Sequence, residues 1–392
     1  MRVAVFTNTY LPMLNGVANV VAAYRDSLCQ RGHEVYIFAP GPADRQRDAA
    51  NNIFRFPSVE VPTQIDYHLA MPFSLPIMRA LHRTDFDIVH THHPLWVGVW
   101  GQWYAQWAGL PLITTVHTEY QIYSDLVPLP GTIVEDFLSR RVGKYCNKCD
   151  MVTTPVESMR DKLHSAGVET SVELLPNPAD LAAFSDPDAA AIRKRIGAGE
   201  DDIVLGFVGR LSAEKNLAFV VHAVKLVMER HPRCRLLMVG DGFARTGLEE
   251  LVAELGISDR TCFIGETPYE QIPDYQAAID IFMTASVSET QPLAYTEAMA
   301  VGTPVIAVNA PGSQDMIEHL HNGVLTDLGE GPQGLAEAAC MLIEDKQLCA
   351  DIGQRAKVWA QRYDISSATD KLLALYEKVL ARNAAAGEDE DA

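Results

Sequence analysis

The chain has 392 residues, of which 48% are hydrophobic and 21% are charged. At roughly 150 residues a domain this length predicts two domains, and the composition excludes a disordered or fibrous chain. The 32 Lys and Arg against 51 Asp and Glu give a formal net charge of −19, which argues against duplex nucleic acid as a partner because duplex binding needs a dense cationic face.

The cysteines and the apolar segments bear on the cellular compartment. The seven cysteines have no repeating spacing, which predicts free thiols in a reducing environment. The N-terminal apolar run is shorter than the core of a signal peptide and predicts a buried strand. Glutamines and glycines interrupt the longest uncharged stretch, residues 94–118, so no transmembrane helix is predicted. The sequence therefore predicts a cytoplasmic protein.

Short apolar runs alternate with amphipathic segments in the first half of the chain. The runs "RVAVFTN", "ANVVAAYRDSLCQRG" and "HEVYIFAP" predict a strand, a helix and a second strand. Further strands are predicted at residues 88–90, 112–117 and 151–154. This alternation is typical of a parallel α/β fold and predicts a doubly wound, Rossmann-like domain over residues 1–175.

The second half repeats the alternation after a Pro-Asn-Pro linker at 176–178. Five more short strands predict a second Rossmann-like domain over residues 176–360. A helix is predicted over 361–382, packed back on the first domain, and the acidic residues 383–392 are predicted to be disordered. Because ligands bind where parallel strands end, we expect the active site in a cleft between the two domains.

The segment "SVSETQPLAYTEAMAVGTPVIAV" is the most informative for function. Glu289 and Glu297 lie eight positions apart across a strand-to-helix turn. Main-chain N–H groups from Thr290 through Gln291 to Leu293 would open the helix and could bind a diphosphate, while the two carboxylates accept hydrogen bonds from sugar hydroxyls. The pattern predicts a nucleotide-sugar site. The alternative is that Glu297 is a surface residue and Glu289 only complements the helix dipole.

Two cations follow another predicted strand. Arg210 and Lys215 lie five residues apart in a loop that enters a helix, so both side chains can reach one anion. In a chain this acidic, two cations at a strand end favour an anion-binding role. The alternative is a surface ion pair of Lys215 with Glu214 or a neighbour.

Several residues of the first half are further candidates. Gly16 is placed in the first strand-to-helix loop, where a missing Cβ lets the backbone approach a phosphate, with a plain turn as the alternative. His117 follows an apolar strand and is expected at its carboxyl end, with a buried structural histidine as the alternative. His90, His92 and His93 have no Cys or carboxylate at ligand spacing, so no metal site is predicted.

An aromatic stripe and a cationic helix complete the candidates. The stripe is predicted to face the core, with acceptor or membrane contact as the alternative; it comprises Trp96, Trp100, Trp103 and Trp107. The cationic face is predicted to be solvated, and docking on anionic lipid stays open; it comprises Arg140, Arg141, Lys144 and Lys148.

These motifs together resemble the Glu-x7-Glu pattern of family 4 retaining glycosyltransferases of the GT-B fold. The resemblance rests on Glu289 and Glu297 with "GFVGRLSAEKN", "MVGDG", "FIGE" and "NGVANV", and it spans nearly the whole chain. It implies two Rossmann-like domains facing across a cleft, and transfer of a sugar from a nucleotide diphosphate-sugar with retention of configuration and no metal or other cofactor. Pro292 departs from the pattern, which usually has Gly, so one main-chain N–H is missing.

The resemblance also implies roles for single residues. Arg210 and Lys215 would bind the diphosphate and stabilise charge on the departing nucleotide, which other transferases achieve with a divalent cation. Glu297 would bind the ribose hydroxyls and Glu289 the hydroxyls of the donor sugar. His117 would lie near the donor sugar and act through its carbonyl or its ring.

The resemblance also implies that main-chain groups make the remaining contacts with the donor. Those around Ile264 and Gly265 would read the base, the loop at Gly16 would close over the diphosphate, and Gly209 and Gly240 complete the set. No residue is a convincing covalent nucleophile. The resemblance therefore implies a same-face mechanism, in which the leaving phosphate oxygen takes the proton of the acceptor.

The segment "VHTEYQIYSDLVPLPG" resembles the acceptor-loop region of enzymes that glucosylate diacylglycerol and related lipids. It implies a lipid or other hydroxyl acceptor and UDP-glucose as the donor, with peripheral contact to the inner face of the membrane through the N-terminal domain. A GDP-mannose-dependent mannosyltransferase acting on a polyprenyl or soluble sugar acceptor stays open. A sugar-nucleotide epimerase and a non-catalytic nucleotide-sugar-binding module also stay open.

Overall fold

The structure is a computed structural model that describes residues 1–13, 15–61, 67–71, 74–117 and 131–390. The chain divides into two compact units. The first contains residues 1–178 and 365–392, and the second contains residues 179–364. The domain limits predicted from the sequence, 175 and 360, fall a few residues before these.

The first unit is built on a parallel sheet. Seven strands among its described residues pair in the order β3-β2-β1-β6-β7-β8-β9, and a short antiparallel pair, β4-β5, stands apart. The strands are β1 Arg2–Phe6, β2 Glu34–Ala39, β3 Ile53–Arg55, β4 Ser58–Val61, β5 Tyr67–Ala70, β6 Ile88–Thr91, β7 Leu112–Thr115, β8 Met151–Thr154 and β9 Val172–Leu174. The helices are α1 Gly16–Gln30, α2 Arg45–Ala50, α3 Leu75–Arg83, α4 Val97–Ala108, α5 Gly131–Cys146 and α6 Glu157–Ser165. The central strands β1, β6 and β8 are buried along almost their whole length, as expected of parallel strands covered on both faces.

The second unit repeats this construction. Six strands among its described residues pair in parallel in the order β12-β11-β10-β13-β14-β15. They are β10 Ile203–Val208, β11 Cys234–Val239, β12 Thr261–Gly265, β13 Ile281–Thr284, β14 Val305–Val308 and β15 Val324–Thr326. The helices are α7 Ala189–Arg195, α8 Leu217–Arg230, α9 Arg245–Glu254, α10 Ile272–Ala278, α11 Leu293–Val301, α12 Pro311–Met316, α13 Gly331–Glu344 and α14 Lys346–Ala360. The prediction of two Rossmann-like α/β domains is confirmed.

Each sheet has one point where its strand order reverses. In the first sheet the order runs outward in one direction from β1 and in the other from β6; in the second sheet the reversal lies between β10 and β13. Loops at the carboxyl ends of the two strands diverge there and leave room for a ligand. We call these places the first and second switch points, and the candidate residues are described by their position relative to them.

The last helix, α15, spans Ile365–Glu390 and belongs to the first unit. It packs against α1, where Arg31 donates to Asp370 over 2.7 Å. Farther along, Lys378 donates to Glu173 over 2.6 Å. The sequence predicted that this helix ends at residue 382 and that a disordered tail follows. The helix instead continues to Glu390, because its alanines and acidic residues are compatible with helix.

The tryptophan stripe on α4 corrects a prediction. The prediction that the stripe faces the core is wrong for Trp103, Trp107 and Trp96, which are 47%, 62% and 52% exposed, whereas Trp100 is partly buried and packs against the core. The buried face of α4 is formed by Val97, Gly98, Gly101, Gln102, Tyr104 and Ala105. Within the described part of the chain, no helix combines the length and the apolar character needed to cross a membrane.

Candidate active site

The second switch point carries the predicted cations and one predicted acid. Arg210 and Lys215 lie in the segment after β10, and Glu289 lies in the segment after the neighbouring strand β13. Lys215 Nζ forms an ion pair with Glu289 Oε1, and both side chains are largely buried. Arg210 instead pairs with Glu214 over 3.0 Å, where both side chains are more exposed. The structure therefore joins two of the three predicted groups directly.

Both cations can still bind an anion, although each is paired with a carboxylate in the structure. The exposed pair of Arg210 and Glu214 is worth little free energy, so an incoming phosphate can replace the carboxylate at small cost. Ser212 also donates to Glu214 over 2.6 Å, which keeps the carboxylate in place when the guanidinium turns away. Lys215 and Glu289 together can bind a ligand that carries both an anionic group and hydroxyls.

The predicted glycines hold three backbone segments close together. Gly209, Gly240 and Gly265 all have positive φ angles, which favour glycine. A Cβ on Gly240 would lie 2.0 Å from the Gly209 carbonyl oxygen, and the Gly240 N–H donates to the Gly265 carbonyl over 3.0 Å. Packing thus explains Gly209 and Gly240 without a ligand. Ile264 precedes Gly265 in β12 and packs against the core; the contact of this strand end with a base stays a prediction.

The turn before α11 differs from the expected helix opening. The helix begins at Leu293 with Pro292 as its N-cap residue, so Thr290 and Gln291 precede it. Helix α12 packs closely against this turn, because a Cβ on Gly312 would lie 2.1 Å from the Glu289 carbonyl oxygen. The close approach fixes the backbone of Glu289.

Glu297 is buried, which rules out the alternative of a surface helix residue. Its side chain lies in the second turn of α11 and the residue is 7% exposed. Burial raises its pKa to about 7, and hydrogen bonds from Gln276 and Tyr269 partly offset this shift. A buried carboxyl that titrates near neutrality costs stability, which makes it a candidate for function.

The first switch point is lined by histidines in place of charges. His92 and His93 follow β6, and His117 follows β7. His117 Nε2 lies 2.9 Å from His92 Nδ1, and His117 Nδ1 lies 3.1 Å from Asn177 Oδ1. His90 contacts the Tyr376 hydroxyl of α15 at 2.7 Å. The structure brings His117 together with the histidines that the sequence considered for a metal.

All four histidines are neutral near pH 7. Burial lowers the pKa of His90 to about 3, with a smaller contribution from His117, and lowers that of His117 to about 4. Burial also lowers the pKa of His93 to about 3 and that of His92 well below its usual value. The histidines that the structure describes at this edge of the first sheet are therefore polar but uncharged.

Gly16 is the first residue of α1 and does not lie in the preceding loop. Asn15 is the N-cap, and its Oδ1 accepts a hydrogen bond from Ala18 N over 2.9 Å. A Cβ on Gly16 would meet no atom within 4 Å, and its φ is not positive. Packing therefore gives no reason for a glycine here, which leaves the predicted approach to a phosphate open.

Three polar residues of these sites were not predicted. Gln276 and Tyr269 contact Glu297, and Asn177 contacts His117. The linker pattern identified Asn177 only as part of a break in regular structure. No periodicity marks a single buried amide, so only the three-dimensional structure could identify these partners. The acceptor-loop segment compared with lipid glucosyltransferases lies, over residues 118–130, outside the described residues.

Comparison with known proteins assigns both units. The model of glycosyltransferase family 4 matches residues 14–183, and the model of glycosyl transferases group 1 matches residues 188–359. An alpha-monoglucosyldiacylglycerol synthase of Streptococcus pneumoniae is 31% identical over 83% of this chain and 75% of that protein. A GDP-mannose-dependent alpha-mannosyltransferase of Mycobacterium tuberculosis is 27% identical over 97% of this chain and 98% of that protein.

Solved structures support the same fold. HepE of Anabaena, determined in complex with UDP, has a TM-score of 0.79 at 21% identity and covers 96% of this chain and 100% of its own. Sucrose-phosphate synthase from Thermosynechococcus elongatus has a TM-score of 0.78 at 19% identity, over 97% of this chain and 100% of its own. With its two domain matches and these relatives, the chain belongs to the GT-B glycosyltransferases of family 4 and group 1.

Proposed function

We propose that this glycosyltransferase moves glucose from UDP-glucose to a lipid hydroxyl with retention of configuration and without a metal ion. The observation that carries the proposal is the charge arrangement at the second switch point, where Lys215 pairs with Glu289 and Arg210 pairs with Glu214. The buried Glu297 lies in α11, the helix that follows Glu289 in the chain. Cations suit a diphosphate, and carboxylates suit the hydroxyls of ribose and hexose. One site can therefore recognise every polar part of a nucleotide-sugar.

Charge stabilisation by side chains supports the metal-independent part of the proposal. As the bond between the anomeric carbon and the phosphate breaks, negative charge grows on the leaving diphosphate. Arg210 and Lys215 can neutralise that charge from fixed positions at the end of β10. Their own carboxylate partners hold them there before the donor arrives.

The proposed same-face mechanism is supported by the state of Glu289. Among the carboxylates that the sequence assigned to the donor sugar, Glu289 is the natural candidate for a nucleophile. Its carboxylate is paired with the Lys215 ammonium group, which makes the carboxylate a weaker nucleophile. We therefore assign it to sugar hydroxyls, while the departing phosphate oxygen removes the acceptor proton on the same face of the sugar.

Two relatives support glucose as the transferred sugar, and another supports mannose as the second candidate. Two of them, from Streptococcus pneumoniae and Acholeplasma laidlawii, are named alpha-monoglucosyldiacylglycerol synthase. The mycobacterial mannosyltransferase matches a larger share of the chain at lower identity. GDP-mannose is therefore the second candidate donor.

An exposed surface of the first unit supports a lipid acceptor. It is formed by α3 and α4, which meet where Tyr104 Oη donates to the Leu81 carbonyl over 3.0 Å. Trp103, Trp107 and Met78 are exposed there, and the rings of Trp103 and Trp107 stack at 6.4 Å. We call this surface, with the exposed cations Arg79 and Arg83 on α3, the tryptophan face. Aromatic rings beside cations match the interface of an anionic bilayer.

A donor and acceptor screen tests the proposal. Purified protein is incubated with UDP-glucose or GDP-mannose, with and without diacylglycerol in vesicles of phosphatidylglycerol, and in EDTA. We expect UDP release and an α-glucosyl lipid from UDP-glucose alone, with EDTA having no effect. Transfer only from GDP-mannose would move the assignment to the second candidate. A β-linked product or a rate lost in EDTA would overturn the retaining or metal-independent part.

Vesicle sedimentation tests the tryptophan face separately. We expect wild-type protein to sediment with phosphatidylglycerol vesicles and not with phosphatidylcholine vesicles, and the double variant W103S/W107S to stay in solution. The matched control is Trp359→Ser, because Trp359 lies in the second unit and stacks under Arg362 at 3.7 Å. Equal sedimentation of wild type and W103S/W107S would remove the membrane contact from the proposal.

A further inference from the structure

His117 has a hydrogen-bond partner on each ring nitrogen. Nδ1 lies 3.1 Å from Asn177 Oδ1, and Nε2 lies 2.9 Å from His92 Nδ1. His117, His92 and Asn177 are all buried. Each ring nitrogen has its own buried partner, so the two contacts together fix the orientation of the imidazole ring.

The chemistry of these partners sets the position of the proton. An amide oxygen can only accept a hydrogen bond, so His117 must donate from Nδ1. A neutral imidazole carries one N–H, which leaves Nε2 of His117 as an acceptor and makes Nδ1 of His92 the donor to it. Asn177 thus selects the Nδ1–H form of His117 and, through it, the Nδ1–H form of His92.

Asn177 occupies an unusual place in the chain. It lies between two prolines in the segment that leaves the first unit, directly before the second unit begins at residue 179. The segment is anchored to the first unit a second time, because Tyr24 Oη donates to the Pro176 carbonyl over 2.6 Å. The polar group that orients His117 therefore comes from the linker and not from the sheet.

We propose that Asn177 is a positioning residue, which fixes the tautomer and the orientation of His117 from the linker between the two units. The proposal rests on the proposed function, in which His117 lies near the donor sugar. Because both ring nitrogens are occupied within the first unit, the side chain is not free to bond a sugar hydroxyl. Its contribution to the transferred sugar is then made by the main-chain carbonyl that the ring holds in place.

Nuclear magnetic resonance of histidine nitrogens tests the tautomer directly and needs no activity. In protein labelled with 15N-histidine, the His117 resonances are assigned by comparison with His117→Gln. We expect the Nδ1–H form in the wild type and in Asn177→Asp, whose carboxylate still accepts. We expect Asn177→Ala to show the Nε2–H form or a mixture. An Nε2–H His117 in the wild type would overturn the proposal.

Kinetics of sugar transfer provide the second readout. We expect Asn177→Ala to lower kcat by about 10- to 100-fold, the size expected of a misplaced group near the reacting atoms, with the donor KM within about 3-fold. We expect Asn177→Asp to recover most of kcat. Equal kcat in Asn177→Ala and the wild type would also overturn the proposal, whereas a wild type inactive with every donor would contradict only the proposed function.

Tyr376→Phe is the matched control for buried polar contacts. It removes the 2.7 Å contact of the Tyr376 hydroxyl with His90 Nδ1, in the same cluster but without touching His117. We expect a loss of stability similar to that in Asn177→Ala, with the tautomer of His117 and kcat unchanged. A changed His117 tautomer in Tyr376→Phe would assign the effect to general loosening of the cluster, against the proposal.

Discussion

The two switch points have the same topology and opposite electrostatics. The first, between β1 and β6, is lined by histidines that burial keeps neutral and that bond to one another and to Asn177. The second, between β10 and β13, carries ion pairs of Lys215 with Glu289 and of Arg210 with Glu214. Topology leaves room for a ligand at both, but among the residues that the structure describes the ion-paired cations lie at the second.

The difference teaches that the sheet determines where a site lies and the loop residues determine what it binds. In the first unit the described histidines bond to partners within the unit and are uncharged. In the second unit both cations pair with carboxylates, and a ligand can replace the exposed carboxylate of Glu214 at small cost. The charged groups suited to a diphosphate are therefore those of the second switch point.

The largest expected effect is that acid destabilises the first unit. Burial keeps His90, His93 and His117 neutral to about pH 3 or 4 and lowers the pKa of His92 in the same direction, whereas in the unfolded chain histidines bind protons near pH 6.5. The free energy of unfolding should therefore fall as pH falls below 6.5, by roughly 2 kcal/mol at pH 5 for each of His90, His93 and His117. Hydrogen exchange followed by mass spectrometry on peptides from β7 measures this unit by itself.

The second unit should respond to pH in the opposite sense. The pKa of Glu297 is raised to about 7 from 4.5, so between these pH values the folded unit keeps a proton on Glu297 that the unfolded chain has lost. The stabilisation from protonated Glu297 is complete below pH 4.5 and is lost as pH rises through 7, by roughly 3 kcal/mol. Glu297→Gln should flatten this slope in exchange on β13 peptides. An identical slope in the variant and the wild type would contradict the assignment to Glu297.

The next largest effect is expected on turnover at the second switch point. Arg210→Ala and Lys215→Ala should each lower kcat by about 10²- to 10³-fold, because charge on the leaving diphosphate loses a fixed cation. Arg233→Ala is the matched control, since Arg233 forms a similar 3.0 Å exposed pair with Asp201 at the opposite end of the sheet. A rate in Arg210→Ala equal to that in the control would remove Arg210 from the site.

The smallest effect is expected for a substitution at Gly16, which tests whether the first unit also contacts the donor. Gly16→Ala should leave stability unchanged or slightly higher, because a Cβ there meets no neighbour. We expect about a 10-fold higher donor KM, since the methyl group would stand where a phosphate approaches the backbone. Gly247→Ala is the control, as Gly247 also lies in a first helical turn with open space. Equal donor KM values would show that Gly16 is not in the site.

Much of the fold could be predicted from the sequence, because short strands rich in apolar residues alternate with amphipathic helical segments. The strand at Met151–Thr154 was predicted with its observed limits. Motif spacing also selected Lys215 and Glu289, which form an ion pair in the structure, while the roles assigned to the site residues stay predictions. The strand limits and this pairing concern residues that are marked by local pattern.

The failures concern contacts between distant parts of the chain. Helical spacing showed that the tryptophans of α4 share one side, but spacing does not say whether that side faces a sheet or solvent. The burial of Glu297 depends on Gln276 in another helix. The role of Asn177 depends on a histidine 60 residues earlier. Such pairings are created by tertiary packing, so no local pattern could reveal them.

The return of α15 to the first unit has a consequence for biosynthesis. Residues 179–364 emerge from the ribosome as one uninterrupted stretch, and the ends of this stretch are held together where Ala179 N donates to the Tyr363 carbonyl over 2.8 Å. The first unit also contains the contacts made by Tyr376 and Asp370 of α15, which are translated after the second unit. The first unit therefore cannot complete its packing until the whole second unit has been synthesised.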